Sequence, residues 1–214
     1  HKVKENWEEI SYKHVLDTAD AISSYFLEMG ITNGERLALI IENSVDWVYY
    51  DQGLQQIGGV NVSIYPTLSE TEIEYILNDS GARTLLAGSP FLFRKILKIA
   101  NNCPNLQRII PVFDDYQKYL PEGELNAGVI SLKNLIEEGK KILDRYKSKI
   151  EIAREAILPG DLTSLIYTSG TTGTPKGVML THSNFVQNVK VCLEQIPVIN
   201  KDDLFLSFLP FSQV

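Results

Sequence analysis

The stretch that most constrains this chain is Tyr167-Thr168-Ser169-Gly170-Thr171-Thr172-Gly173-Thr174-Pro175-Lys176-Gly177. It lies between two short apolar runs, Leu165-Ile166-Tyr167 and Val178-Met179-Leu180, which read as strands. The polar segment is therefore a tight loop joining two strands. Gly170 and Gly173 allow positive φ and let a ligand come close to the backbone. Successive N–H groups in such a turn converge on an anion, the hydroxyls add donors, and Lys176 adds a mobile positive charge. This donor set suits a polyphosphate.

The common P-loop, G-x-x-x-x-G-K-[ST] followed by a helix, does not fit. Counting from Gly170, Pro175 stands at the second glycine, Gly177 stands at the Ser/Thr, and a strand follows instead of a helix. The bland alternative is a Ser/Thr/Gly-rich surface loop without function. A lysine locked between Pro175 and Gly177 and flanked by apolar strands argues against it.

Upstream, strands and helices alternate. Val15, Ala19, Ile22, Phe26 and Met29 form one helical face, stopped by Gly30. Leu37–Ile41 reads as a strand; Ser44 caps a helix to about Ile57, ended by Gly58-Gly59. Val60–Ile64 is a second strand. Ser69 and Glu72 form a capping box for a helix closed by Gly81. Arg83–Ala87 is a third strand, and Pro90 opens a helix to about Ala100. Leu106–Val112 is a fourth strand, with Pro111 near its end. Residues 113–128 read as a loop, in which Asp114-Asp115 is a solvated pair rather than a metal site. A charged helix runs from Ser131 to about Tyr146, and its Lys140, Lys141, Arg145, Lys147 and Lys149 read as a solvated face offset by Glu137, Glu138 and Asp144, the sharper alternative being a docking patch for an acidic headgroup or carrier. After the loop, a helix from about Ser183 to Ile196 is expected to bury Phe185, Val189, Cys192 and Ile196, and Asp203–Leu209 to form a strand. His182, at a helix entry, reads as structural. The alternation predicts an α/β fold with a mostly parallel sheet flanked by helices on both faces.

The composition is that of an ordinary globular protein, 44% hydrophobic and 22% charged over 214 residues. A net charge of −7 argues against a nucleic-acid partner. No apolar run reaches the length of a membrane span, and no N-terminal segment reads as a signal peptide. Cys103 and Cys192 are far apart and read as reduced, semi-buried thiols of a cytosolic protein. The chain begins at His1 and stops at Val214 just after an apolar run, so it is expected to be a piece of a longer protein.

The segment Tyr167–Gly177, continued by Val178-Met179-Leu180-Thr181-His182-Ser183-Asn184, resembles the phosphate-binding signature of AMP-forming adenylating enzymes. These are the acyl-CoA synthetases, luciferases and peptide-synthetase adenylation domains. The likeness extends to Gly34–Leu39, Asn43–Trp47, Gly58-Gly59-Val60 and Tyr65-Pro66-Thr67. Ser207–Ser212 resembles the segment that enters the acyl pocket. Within the family the wording is most similar to long-chain fatty acid–CoA ligases. One departure is Gln213, where the family often has histidine.

The resemblance implies the truncated large N-terminal domain of an adenylate-forming enzyme. Residues 1–160 would be a first α/β subdomain and 161–214 the start of the next, with the loop at 167–177 and the C-terminal remainder absent. It implies activation of a fatty acid by ATP to an acyl-adenylate, followed by transfer to coenzyme A, with Mg2+ as cofactor. Thr168, Ser169, Gly170, Thr171, Thr172, Gly173, Thr174 and Lys176 would bind the nucleotide, Lys176 as the catalytic cation and Thr168 as the contact to the metal-bound phosphates. The fragment alone is expected to be inactive. A cytoplasmic location, at most peripheral to the inner face of a membrane, and a homodimer are compatible with this reading. The rivals are an adenylation domain for another carboxylic acid or a carrier-protein acceptor, and a non-catalytic nucleotide-binding module.

Overall fold

The computed structural model describes residues 2–3, 6–168, 174–196, 200, 203 and 209–211. A two-stranded ribbon, β1 (Lys2–Val3) and β2 (Asn6–Trp7), precedes helix α1 (Tyr12–Glu28), which Ser11 caps. Then follow β3 (Arg36–Ile40), α2 (Val45–Gln55), β4 (Val60–Ser63), α3 (Glu70–Ser80), β5 (Thr84–Ala87), α4 (Pro90–Ile99), β6 (Arg108–Pro111) and β7 (Gly128–Val129). The long α5 (Leu132–Ala156), β8 (Leu162–Thr168), β9 (Lys176–Thr181) and α6 (His182–Gln195) follow among the described residues. Seven strands form one sheet in the order β7-β6-β5-β3-β4-β8-β9. All neighbours are parallel except β8 and β9, which form an antiparallel hairpin at one edge.

The central strands are apolar because helices cover both of their faces, while β9 at the edge is largely exposed. Ala38 and Ile40 of β3 pack with Ile73, Ile76, Phe93 and Ile96 of α3 and α4. Leu37, Leu39 and Ile41 face Ile22 and Phe26 of α1, Tyr50 and Leu54 of α2, and Leu132 and Leu135 of α5. The layers are thus helices, sheet, helices, as the alternation predicts.

Local chemistry sets the element ends. The Ser69–Glu72 capping box is formed in both directions, and Gly81 ends α3 in the left-handed region. Ser44, Ser89 and Ser131 each accept a backbone N–H at the start of α2, α4 and α5. Between α2 and β4, Gly58 takes φ +73°, and a Cβ on Gly59 would lie 2.1 Å from Leu54 Cδ1. This corner lets Gly34 N–H donate to Gly58 O and Val60 N–H donate to Glu35 O, both at 2.8 Å, which fixes β4 beside β3. Gly139 lets α5 lie directly on α1: its Cβ would fall 1.9 Å from the Ala21 carbonyl oxygen.

Several expectations need correction. α5 continues past Tyr146 to Ala156, because Ile150 keeps its buried face going. Residues 113–128 are not all loop: Tyr116–Tyr119 form a 3-10 turn and Gly128 begins β7. α6 forms where expected but buries none of its residues. Phe185, Val189, Cys192 and Ile196 are all exposed, because no other described element covers that side of the helix. Of the two thiols, Cys103 is buried and Cys192 exposed. The Asp114-Asp115 pair is offset by lysines, Asp114 by Lys133 and Asp115 by Lys118. On α5, Arg145 pairs with Glu28 and Lys141 with Glu138. The expected Asp203–Leu209 strand falls mostly on residues outside those described, as does Gln213. Among the described residues no helix is long and apolar enough to cross a membrane.

Candidate functional site

β8 runs parallel to β4 and ends at Thr168, so the glycine- and threonine-rich loop leaves the sheet at the C-terminal end of a parallel strand. Open parallel sheets bind their ligands at that edge. β9 returns antiparallel, with Tyr167 opposite Gly177 and Thr168 opposite Lys176. The ladder thus brings Thr168 and Lys176 side by side at the loop's mouth, with Thr174 two residues before Lys176 and all three exposed. Ser169, Gly170, Thr171, Thr172 and Gly173 lie outside the described residues.

The hairpin stem is held from both faces of the sheet. On the α3 side, the Tyr167 hydroxyl donates to Asp79 Oδ2 at 2.6 Å. Partial burial, followed by the neighbouring Asp79, raises the phenol's pKa above its ordinary value. A Cβ on Gly177 would lie 3.2 Å from Tyr167 Cζ, so the ring lies close against that glycine.

On the α2 side lies a buried polar network. The Asp51 carboxylate accepts from Asn61 Nδ2 at 2.7 Å, from Gln55 Nε2 at 3.3 Å and from Gln52 Nε2 at 3.4 Å. The Ser63 hydroxyl donates to Asn61 Oδ1 at 2.9 Å. The Gln55 amide also donates to the Thr163 carbonyl at 3.0 Å and accepts from the Thr163 hydroxyl, which ties α2 to β8. Burial raises the Asp51 pKa; the three amide donors and the nearby His182 pull against that shift. Asp51, Asn61, Ser63 and His182 line a cavity of about 300 Å³ with Trp47 and Phe211. Trp47 Nε1 and His182 Nε2 are buried and have no hydrogen-bond partner among the described residues. His182 N–H donates to the Asp161 carbonyl at 3.1 Å and Ser183 N–H to the Pro159 carbonyl at 2.8 Å, which fastens the outgoing end of the hairpin to its beginning.

A third feature sits where the strand order reverses. β4 lies on one side of β3 and β5 on the other, so the crevice of the sheet opens beyond the end of β3. Asn43 stands there. Its Nδ2 donates to the Leu209 carbonyl at 2.6 Å, and its Oδ1 accepts from Phe211 N–H at 2.9 Å. Trp47 packs on the Phe211 ring with centroids 5.1 Å apart. One amide thus pins the backbone on both sides of Pro210.

Sequence reasoning singled out the loop and its lysine and did not single out the residues that brace the hairpin. Asp51, Asp79 and Asn43 sit in ordinary helical or turn contexts; the partners of Asp79 and Asn43 are distant in the chain, and Asp51 bonds to Asn61 on another element. A buried carboxylate among amides gives no periodic signal. The one available hint was Asp51 on the apolar side of a helix, with Tyr50 and Leu54 beside it.

The family of AMP-binding enzymes matches this chain over residues 2–214. Long-chain-fatty-acid–CoA ligase ACSBG1 of Rattus norvegicus is 30% identical over 216 residues, which cover 100% of this chain and 29% of that protein. Long-chain-fatty-acid–CoA ligase 1 of Cavia porcellus is 33% identical over 222 residues, covering 100% of this chain and 30% of that protein. The chain therefore spans less than a third of the length of these curated relatives. Among solved structures, the anthranilate CoA ligase AuaEII in complex with anthranoyl-AMP superposes with a TM-score of 0.66 at 26% identity, covering 86% of this chain and 32% of that one. A long-chain-fatty-acid–CoA ligase from Archaeoglobus fulgidus gives a TM-score of 0.68 at 24% identity, covering 92% and 35%, and supports the fold alone. Matched by this family along nearly its whole length, the chain belongs to the AMP-binding enzyme family.

Proposed function

We propose that this chain is the nucleotide-gripping part of an ATP-dependent acid–thiol ligase that acts on fatty acids. The observation that carries the proposal is the hairpin: a glycine- and threonine-rich loop at the C-terminal end of parallel β8, with Thr168 and Lys176 paired at its mouth. In the first step a fatty acid carboxylate oxygen attacks the α-phosphorus of ATP and pyrophosphate leaves. In the second a coenzyme A thiol attacks the acyl carbon and AMP leaves. The first step brings a carboxylate against a triphosphate, so the β- and γ-phosphates must be held and their charge offset. Ser169, Gly170, Thr171, Thr172, Gly173 and Thr174 supply N–H and O–H donors for that grip, and Lys176 supplies a point charge. Thr168 offers an exposed hydroxyl oxygen, a donor type suited to Mg2+ held mainly by substrate phosphates. Magnesium bound there would neutralise phosphate charge.

We divide the chain at the Pro159-Gly160 turn. Residues 1–160 are the first α/β subdomain and 161–214, with the loop, the start of the next. The shared sheet makes this a division of roles, with β8 still registered on β4. The fatty-acid preference draws support from the two curated relatives, which are long-chain ligases. A different carboxylic acid is the second reading, favoured by the likeness to an anthranilate ligase. For location we propose the cytoplasm, with at most peripheral contact at a membrane's inner face, where fatty acids partition.

The test is acid-dependent exchange of labelled pyrophosphate into ATP, run on a ligase polypeptide that contains this chain and on the chain alone. Exchange confined to long acyl chains supports the proposal. Exchange with aromatic or amino acids moves the substrate, and exchange by the chain alone refutes the idea that it is only a part. Lys176→Ala is expected to weaken ATP binding by about ten-fold or more, the worth of one charge-assisted contact. Unchanged ATP affinity would refute the role given to the loop.

A further inference from the structure

We propose that Tyr167 and Asp79 are positioning residues for Lys176; the proposal rests on the reading of the loop as a phosphate grip. Lys176 precedes Gly177, and Gly177 is the ladder partner of Tyr167. The Tyr167 ring lies so close to Gly177 that a Cβ there would be 3.2 Å from its Cζ. The ring tip therefore fills the space beside Gly177, next to the lysine, and a swing of the side chain would change what β9 packs against there. What holds the side chain against swinging about χ1 is the 2.6 Å bond that the phenol donates to Asp79 Oδ2. Asp79 belongs to the last turn of α3, and α3 is anchored in the core by Ile73, Ile76 and Leu77. A path of contacts thus runs from a buried helix through one carboxylate and one ring to the start of β9.

The residue type at 79 points the same way. A carboxylate in the last turn of a helix faces the negative end of the helix dipole, a locally unfavourable place. Its partner lies 88 residues away in the chain. The gain from Asp79 is thus long-range, and it falls on the hairpin. Gly177 fits the same arrangement, since any side chain there would meet the ring. The grip of the loop depends on where β9 starts, and the Tyr167–Asp79 pair fixes that point from outside the loop.

The test compares Tyr167→Phe, Asp79→Ala and Asp79→Asn in the ligase that contains this chain, with Lys176→Ala in parallel. The readouts are KM for ATP, KM for the carboxylic acid, and Tm. Tyr167→Phe and Asp79→Ala each lose the phenol–carboxylate bond, and each is expected to raise KM for ATP about five-fold while KM for the acid stays put. Asp79→Asn keeps an oxygen that accepts from the phenol and is expected to stay within about two-fold of the parent. A rise in both KM values together, or a fall in Tm with KM for ATP unchanged, overturns the positioning role and leaves Tyr167 as a packing residue. If Lys176→Ala also leaves KM for ATP unchanged, the phosphate reading fails, and the proposal built on it fails too. If Lys176→Ala raises KM for ATP and the Tyr167 and Asp79 variants do not, the positioning role alone is refuted.

Discussion

Gly139→Ala tests whether the α1–α5 contact is set by backbone touching backbone. In an isolated helix this substitution stabilises by about 1 kcal/mol, because alanine loses less conformational entropy than glycine. Here the new Cβ would sit 1.9 Å from the Ala21 carbonyl oxygen and 2.7 Å from its carbonyl carbon. That is about 1.5 Å short of ordinary van der Waals contact. The obstacle is backbone in the middle of α1, so no side chain can swing aside. The helices must separate, and Leu132 and Leu135 would loosen their packing against Ile22 and Phe26. Overpacking of this kind costs about 3 kcal/mol, the upper part of its usual range, since neither helix can give locally. Set against the propensity gain, the net loss is about 2 kcal/mol, or roughly 4–8 °C in Tm for a chain of this length. The assay is urea unfolding followed by circular dichroism, with Gly123→Ala as control. Gly123 has open space around it, so that change should fall within about 0.5 kcal/mol of the parent. A Gly139→Ala variant as stable as the parent, or more stable, would refute the packing argument.

Two further outcomes are expected. Asp51 has a folded-state pKa raised by burial, so the native state holds that proton to higher pH than the unfolded chain does. Its contribution to stability is full below the unfolded value of about 3.9 and is lost as pH rises through the raised folded value. Asp51→Asn removes this titration, so in unfolding experiments at pH 4 and pH 7 the variant should gain on the parent at the higher pH. A constant difference would show that Asp51 does not titrate this way. For the thiols, burial and then the nearby Glu74 push Cys103 up to about 11, while Cys192 is exposed. A maleimide at neutral pH should label Cys192 first, and equal rates at both sites would contradict the burial of Cys103.

Where the sequence was legible, a local signal agreed with the long-range fold. Ser44, the Ser69–Glu72 pair, Pro90 and Ser131 mark helix starts by local chemistry, and the N-caps of all four helices are formed. The runs at 37–41 and 60–64 read as buried strands because helices cover both faces of the sheet. Legibility failed where the reason for an element lies far away. β7 is two residues long and exists only because β6 offers it an edge. The end of α5 is full of charge, and Ile150, packed at 3% exposure, with the half-buried Ala153 shows that the helix still has a buried side. Pro111 sits at the end of β6 and still pairs with Ala87, since a proline there forfeits only one donor. For α6 the amphipathic pattern was real and the inference of burial was not, because periodicity names a face and cannot supply what covers it. In the candidate site the loop announces itself by composition, whereas Asp79, Asp51 and Asn43 each bond to a residue on another element, 88, 10 and 166 positions away.

The glycine corner between α2 and β4 has a reach beyond its own turn. It sets which residue of β4 stands opposite which residue of β3, beginning with Val60 opposite Arg36. β8 takes its alignment from β4, with Ser63 opposite Ile166, and β9 takes its own from β8, ending with Lys176 opposite Thr168. The sheet is therefore a ruler read from Gly58 to Lys176. A slip of one residue at the corner would carry the whole scale along by about 3.3 Å and turn every side chain after it to the opposite face. On that ruler the lysine's place in space is decided more than a hundred residues before the lysine is reached.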